Sequence, residues 1–340
     1  MSRDRWLLAA AFGVGAAAMA GLAQTRFSRK IAQDPAGREL QTPPSGQPLH
    51  ATSADGTRIY AEAFGPPEGL PVVLAHGWTE NLTYWVYVIR RLAGLGFRVV
   101  AYDLRGHGHS GGAGDYSIDR FGEDLEAVLA AVVPEGQKAM VVGHSLGAMS
   151  IAAWARDHDV ERRVGAAALL NTGVGDLMAE SLIVPLPRAA AALTGSLAQR
   201  GFIGSRAPLP QFSSPLSHAM LRWVAFGPAA SPAQIAYYER MLFAMPPQAR
   251  ADVGIAISAI ELHDDLPRLT VPTIVLAGEN DRLTPPSHAR RIAQMLPQLE
   301  RLIILPDTGH MAPLERHEAV SDALVELAEK LRQSAPAGIA

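Results

Sequence analysis

Short apolar runs recur along this chain at residues 71–75, 98–103, 139–142, 163–170, 272–277 and 301–305. They are built mostly of Val, Ile, Leu and Ala, and each ends near a loop carrying Gly, His, Asp or Asn. Helical periods lie between them. Residues 118–132 put Ile118, Phe121, Leu125, Leu129 and Val132 on one face, with Ser117 in the N-cap position. Residues 82–95 and 315–331 also read as helices. Buried strands alternating with amphipathic helices predict a mostly parallel sheet covered on both faces. Residues 57–64 are different. Ile59, Ala61 and Ala63 alternate with Arg58, Tyr60 and Glu62, which predicts an antiparallel edge strand.

The rhythm breaks between residues 171 and 263. Proline-punctuated helical pieces at 177–186, 189–199, 215–226, 232–245 and 249–263 replace the strands. Ile235, Tyr238, Met241, Leu242 and Met245 fall on one helical face. About ninety residues of helix inserted between two sheet strands predict a cap over the strand ends. Met220, Trp223, Phe226, Tyr237, Phe243 and Met245 either hold that cap together or line a lipophilic pocket beneath it.

The amino-terminal segment is read apart from the fold. Residues 6–23 are uncharged, with Arg3 and Arg5 before them and Arg26, Arg29 and Lys30 after. Ala18-Met19-Ala20 matches a signal-cleavage pattern. As a helix the same run would extend about 27 Å, enough for an anchor across a bilayer core. Residues 33–48 are rich in Pro, Gly, Gln and Ser and read as a solvated linker. The expected organisation is an anchor or signal over 1–30 and a linker over 31–49. One domain then fills 50–333, with its cap at about 172–263, and 334–340 form a tail.

Composition narrows the chemistry. The 340 residues carry a net charge of −3 with no basic cluster, which gives no footprint for nucleic acid. The chain has no cysteine, so disulfides, thiolate metal sites and a cysteine nucleophile are excluded. No zinc-ligand spacing is present. Gly106, Gly108 and Gly111 spell a G-x-G-x-x-G, but residues 112–117 intervene before the next helix, so no dinucleotide site is expected. No metal or organic cofactor is implied.

The informative stretch is Gly143-His144-Ser145-Leu146-Gly147, between the strand at 139–142 and a helix starting at the serine. This is the pattern of a nucleophile elbow. Glycines two positions either side of the serine let strand and helix approach closely. Asp281 and His310 follow at the ends of later strands, in the order such an elbow requires. The hydroxyl of Ser145 needs a base to take its proton, a role that fits His310. Asp281 would fix the imidazole tautomer, with Asp307 in reserve. The backbone N–H groups of Leu146 and Trp78 are the expected oxyanion donors. His144 is read as packed or hydrogen-bonded, and His76, His107 and His109 as shaping loops.

Five motifs now stand in register: His76-Gly77-Trp78, the loop from Asp103 to Ser110, Gly143 to Gly147, Gly278-Glu279-Asn280-Asp281, and Gly309-His310. Together they resemble the α/β-hydrolase superfamily of lipases and esterases. The resemblance implies an eight-stranded, mostly parallel sheet with helices on both faces and an inserted helical cap. It implies a Ser145–His310–Asp281 triad that hydrolyses carboxylic esters through an acyl-serine. Ser145 departs from epoxide hydrolases and haloalkane dehalogenases, which place an aspartate there. The elbow and the Arg105-Gly106-His107-Gly108 loop are similar to those of monoacylglycerol lipases and carboxylesterases. They are also similar to those of cofactor-free haloperoxidases and some acyltransferases. The expected partner is a small hydrophobic ester, with the membrane reached through the amino-terminal segment or export after cleavage. Acyl transfer, perhydrolysis, or ligand binding by an inactive fold remain the alternatives.

Overall fold

A computed structural model of the protein describes residues 21–112, 114–181 and 203–334. Its strands are β1 (Gln47–Thr52), β2 (Arg58–Phe64), β3 (Pro71–Ala75), β4 (Arg98–Tyr102), β5 (Ala139–His144), β6 (Val164–Leu170), β7 (Thr273–Gly278) and β8 (Leu299–Leu305). They form one sheet in the order β1-β2-β4-β3-β5-β6-β7-β8. β1 and β2 are antiparallel additions and the other six strands run parallel.

The central strands are buried on both faces, as their unbroken apolar sequences require. Val73, Val141, Leu169 and Val275 pack on one side with helices α2 (Ile118–Val132), α3 (Leu146–Asp157) and α7 (Pro286–Met295). Leu74, Val142, Leu170 and Leu276 pack on the other with α1 (Val86–Gly94) and α8 (His317–Ser334). The described part of the cap is built on α4 (Pro215–Ala225), α5 (Pro232–Ala244) and α6 (Pro247–Ile257). Phe226, Tyr237, Phe243 and Met245 are buried, while Met220 and Trp223 are about half exposed. Most of the large cap side chains therefore hold the cap together.

Several expectations change. β2 is not at the sheet edge, because β1 lies outside it with Gln47 opposite Ala63. Pro48 made β1 look like linker, and an edge strand tolerates proline because its outer N–H groups need no partner. The linker expected over 31–49 also contains a short helix, Ala36–Gln41, with Leu40 buried. Ser117 occupies the N-cap of α2 without a side-chain capping bond. The helix expected at 249–263 ends at Ile257. Of the helix expected at 177–186 the described part is Leu177–Glu180, and the one at 189–199 lies outside the described residues. Residues 6–20 of the apolar amino-terminal run also lie outside them. Among the described residues no helix is long and apolar enough to cross a membrane.

The glycine loop after β4 is closed on the protein itself. Gly106 N–H donates to Gly111 O, Gly111 N–H to Arg58 O, and Ser110 Oγ accepts from Tyr60 N–H. Arg105 is buried at its base and makes a two-pronged pair with Asp124, at 2.7 Å on both sides, and a further bond to Asp55. Asp124→Ala would leave that guanidinium underpaired inside the protein. The expected loss is about 3–5 kcal/mol, read as a drop in the urea midpoint at unchanged m. A loss below about 1 kcal/mol would put the pair in the class of surface ion pairs.

Candidate active site

Ser145 stands between β5 and α3 with φ 50° and ψ −115°, a conformation side chains rarely adopt. Such a residue costs about 1–3 kcal/mol and persists only where its surroundings impose it. They do so here. Its N–H donates to Leu170 O at 2.9 Å, and its carbonyl accepts from Ala148 N–H, Met149 N–H and the Thr172 hydroxyl. A Cβ at Gly143 would lie 2.4 Å from Ala148 N, and one at Gly147 would lie 2.1 Å from Ala75 O. Side chains at either position would force the helix off the sheet. Leu146 opens α3, so its N–H is outside the intrahelical ladder.

Asp281 and His310 meet as neighbours. His310 Nδ1 lies 2.8 Å from Asp281 Oδ2, and both residues are buried. The Asp281 carboxylate also accepts from Leu283 N–H, Thr284 N–H, Thr284 Oγ1–H and Asn171 Nδ2–H at 2.9–3.0 Å. Burial opposes its charge, but His310 and these donors outweigh that and hold its pKa below the ordinary value. Thr284 spends its hydroxyl on Asp281, and Pro285 takes the N-cap position of α7. Asp307 points to the surface, 4.0 Å from Arg316. The His310 ring lies 4.9 Å from the ring of His144, the residue preceding Ser145.

Trp78 is in the loop after β3, partly exposed, with its indole N–H on the carbonyl of Arg250 in α6. Thr79 beside it has φ 66° and shares a 2.7 Å hydrogen bond with Tyr238 of α5. The cap therefore touches the loop expected to carry an oxyanion donor. His76 and His107 bridge loops as neutral rings. Each places Nδ1 on a carbonyl and accepts a backbone N–H at Nε2. Burial pushes both down, His107 to about 4. Among the described residues no group of three or more His, Asp or Glu could hold a metal ion.

Three residues of the site were not read from the sequence. Asn171 follows β6 with φ 44° and ties Asp281 to Gly309 O. Its place at the carboxyl end of a strand was the available signal. Glu80 joins Gly77 N–H to His144. Glu315 accepts from Gly227, Gly309 and Met311 N–H, strapping the His310 loop to the cap, and burial pushes its carboxyl up to about 7.

The chain is similar to known proteins over most of its length. A non-heme haloperoxidase from Rhodococcus erythropolis is 30% identical over 276 residues, 76% of this chain and 91% of its own. A thermophilic esterase from Thermogutta terrifontis superposes with a TM-score of 0.66 at 25% identity, covering 84% of this chain and 99% of the esterase. A membrane phospholipase A shares the fold over 98% of this chain and 100% of its own, with a TM-score of 0.68 at 20% identity. The family model of the alpha/beta hydrolase fold matches residues 71–317, and the chain belongs to that family of hydrolases.

Proposed function

We propose that this protein is a serine hydrolase of hydrophobic carboxylic esters. The observation that carries the reading is the 2.8 Å bond between His310 Nδ1 and Asp281, beside the strained Ser145. With Nδ1–H donated to Asp281, His310 keeps Nε2 free of a proton. Nε2 takes the proton of Ser145 Oγ as that oxygen attacks the ester carbonyl. The N–H groups of Trp78 and Leu146 stabilise the tetrahedral oxyanion. Its collapse expels the alcohol, which receives the proton from His310 and leaves an acyl-Ser145. Water, deprotonated by the same ring, then releases the acid. The aromatic cap above the strand ends supports an apolar acyl group. The amino-terminal apolar run supports attachment to the cell membrane or export; the amino terminus of the mature protein, read by mass spectrometry, separates the two.

The likeness to a haloperoxidase supports a second reading. In it, hydrogen peroxide replaces water at the acyl-serine and a peracid leaves. The test is a panel of p-nitrophenyl esters of rising acyl length, beside peroxide-dependent bromination of a dimedone reporter in acetate. Faster hydrolysis of medium or long chains without bromination supports the first reading. Bromination outrunning hydrolysis supports the second. Turnover of neither moves the protein to the inactive, ligand-binding class.

A further inference from the structure

Two buried side chains beside Ser145 take no part in the steps above. Glu80 and His144 are 3% and 0% exposed. His144 Nε2 is 2.9 Å from the carbonyl oxygen of His310, so this nitrogen carries a proton. His144 Nδ1 is 3.0 Å from Glu80 Oε1 and 3.1 Å from Oε2. Oε2 also accepts the N–H of Gly77. His76 and His107 have one acceptor and one donor as ring partners, which suits a neutral imidazole. His144 has an acceptor at each nitrogen, the His310 carbonyl at Nε2 and the Glu80 carboxylate at Nδ1. Both ring nitrogens of His144 are then protonated. The other groups facing this ring are Tyr84 at 4.8 Å and His310 at 4.9 Å between ring centres, with Asp281 acting on it through charge. Burial disfavours the imidazolium, but Glu80 outweighs it and the His144 pKa stands above the ordinary value.

The pair lies where three loops converge. Gly77 precedes Trp78 in the oxyanion loop, and a Cβ on Gly77 would come within 2.9 Å of His144 Nδ1. His144 precedes Ser145. The carbonyl it holds belongs to His310.

We propose that Glu80 and His144 form a buried carboxylate–imidazolium pair that positions the oxyanion loop, the nucleophile elbow and the His310 loop relative to one another. The proposal rests on the roles given above to Trp78, Ser145 and His310. Glu80 and His144 are positioning residues, since neither touches the reacting atoms. Glu80→Gln keeps the size of the side chain and removes its charge. If the amide oxygen keeps Gly77, its NH₂ faces His144 Nδ1, which must give up its proton. If the amide turns, NH₂ meets the Gly77 N–H.

The experiment compares wild type, Ser145→Ala and Glu80→Gln. In Glu80→Gln kcat falls about 10- to 100-fold with KM nearly unchanged, the scale of a sub-ångström misplacement. The alkaline limb of its kcat profile moves to lower pH, because His144 there loses its proton more easily, while the acid limb stays. A space-filling role would lower the whole profile without moving a limb. Nitrogen NMR of histidine-labelled protein at pH 7.5, about one unit above an ordinary histidine, gives a second reading. A ring with two N–H groups is present in wild type and in Ser145→Ala and lost in Glu80→Gln. Wild-type kcat and profile in Glu80→Gln overturn the proposal. So does a wild-type spectrum with no doubly protonated ring, which would place one shared proton on Glu80; this arm decides even if the variant does not fold. If wild type turns over no ester, the catalytic reading fails while the ring-nitrogen spectrum still tests the pair.

Discussion

Ser145→Ala is expected to lower kcat for ester hydrolysis by roughly 10⁴- to 10⁶-fold and to leave the protein folded. The loss is large because the hydroxyl is the only atom group removed and it forms the covalent intermediate. What remains is binding and the oxyanion donors, which by themselves give a residual rate of roughly 10³ to 10⁴ over water. The fold survives because the bonds that impose the elbow belong to the serine backbone. Leu170 O, Ala148 N–H, Met149 N–H and the Thr172 hydroxyl all contact main-chain atoms of residue 145. The close approaches at Gly143 and Gly147 are untouched. The melting temperature should therefore stay within the few degrees that about 1 kcal/mol commands. Steady-state kinetics and labelling with a fluorophosphonate, read by peptide mass spectrometry, check both halves. Wild-type protein labelled at another serine, or an alanine variant with full turnover, would remove Ser145 from the mechanism.

The elbow was legible because its requirements are local. A strand, a sharp turn and a helix must meet within five residues, and only glycines at 143 and 147 permit it. The parallel strands were legible because burial on two faces leaves no polar alternation. Strand β1 was not, since an edge strand exposes most of its side chains and Pro48 reads as loop. The sequence put Asp281 ahead of Asp307, and the geometry shows what separates them. Both follow apolar strands, but Asp281 follows β7, next to β6, and there meets Asn171 and His310. Asn171, Glu80 and Glu315 work through contacts with the backbone or ring of distant loops. Glu80 and His144 are 64 residues apart, and Asn171 and Gly309 are 138 apart. No spacing in the sequence encodes such a pairing, and an isolated Glu or Asn after a strand is ordinary loop chemistry. The cap was legible as helix and not as contact. That Trp78 reaches Arg250 and Thr79 reaches Tyr238 follows only once α5 and α6 lie over the strand ends.

Asp281→Asn carries the second large effect, and its size follows from proton placement. The wild-type carboxylate receives five hydrogen bonds, three at Oδ2 and two at Oδ1. An amide cannot accept at both ends. With its NH₂ at the Oδ2 position it donates to His310 Nδ1, so the ring proton moves to Nε2. Nε2 then has no lone pair for the Ser145 proton. With its NH₂ at the Oδ1 position it opposes the backbone N–H groups of Leu283 and Thr284, and the loop carrying residue 281 shifts. Either way kcat should fall by roughly 10⁴-fold near neutral pH. Stability carries an independent signature. The Asp281 pKa is depressed in the folded state, so its charged form stabilises the fold above the unfolded carboxylate value. That contribution is lost as pH falls through the folded value. Asparagine has no such contribution to lose. Acidification below about pH 4 should therefore narrow the stability gap between wild type and Asp281→Asn in urea titrations. A gap independent of pH would mean that Asp281 is not the charged partner of His310, and the tautomer argument would fall with it.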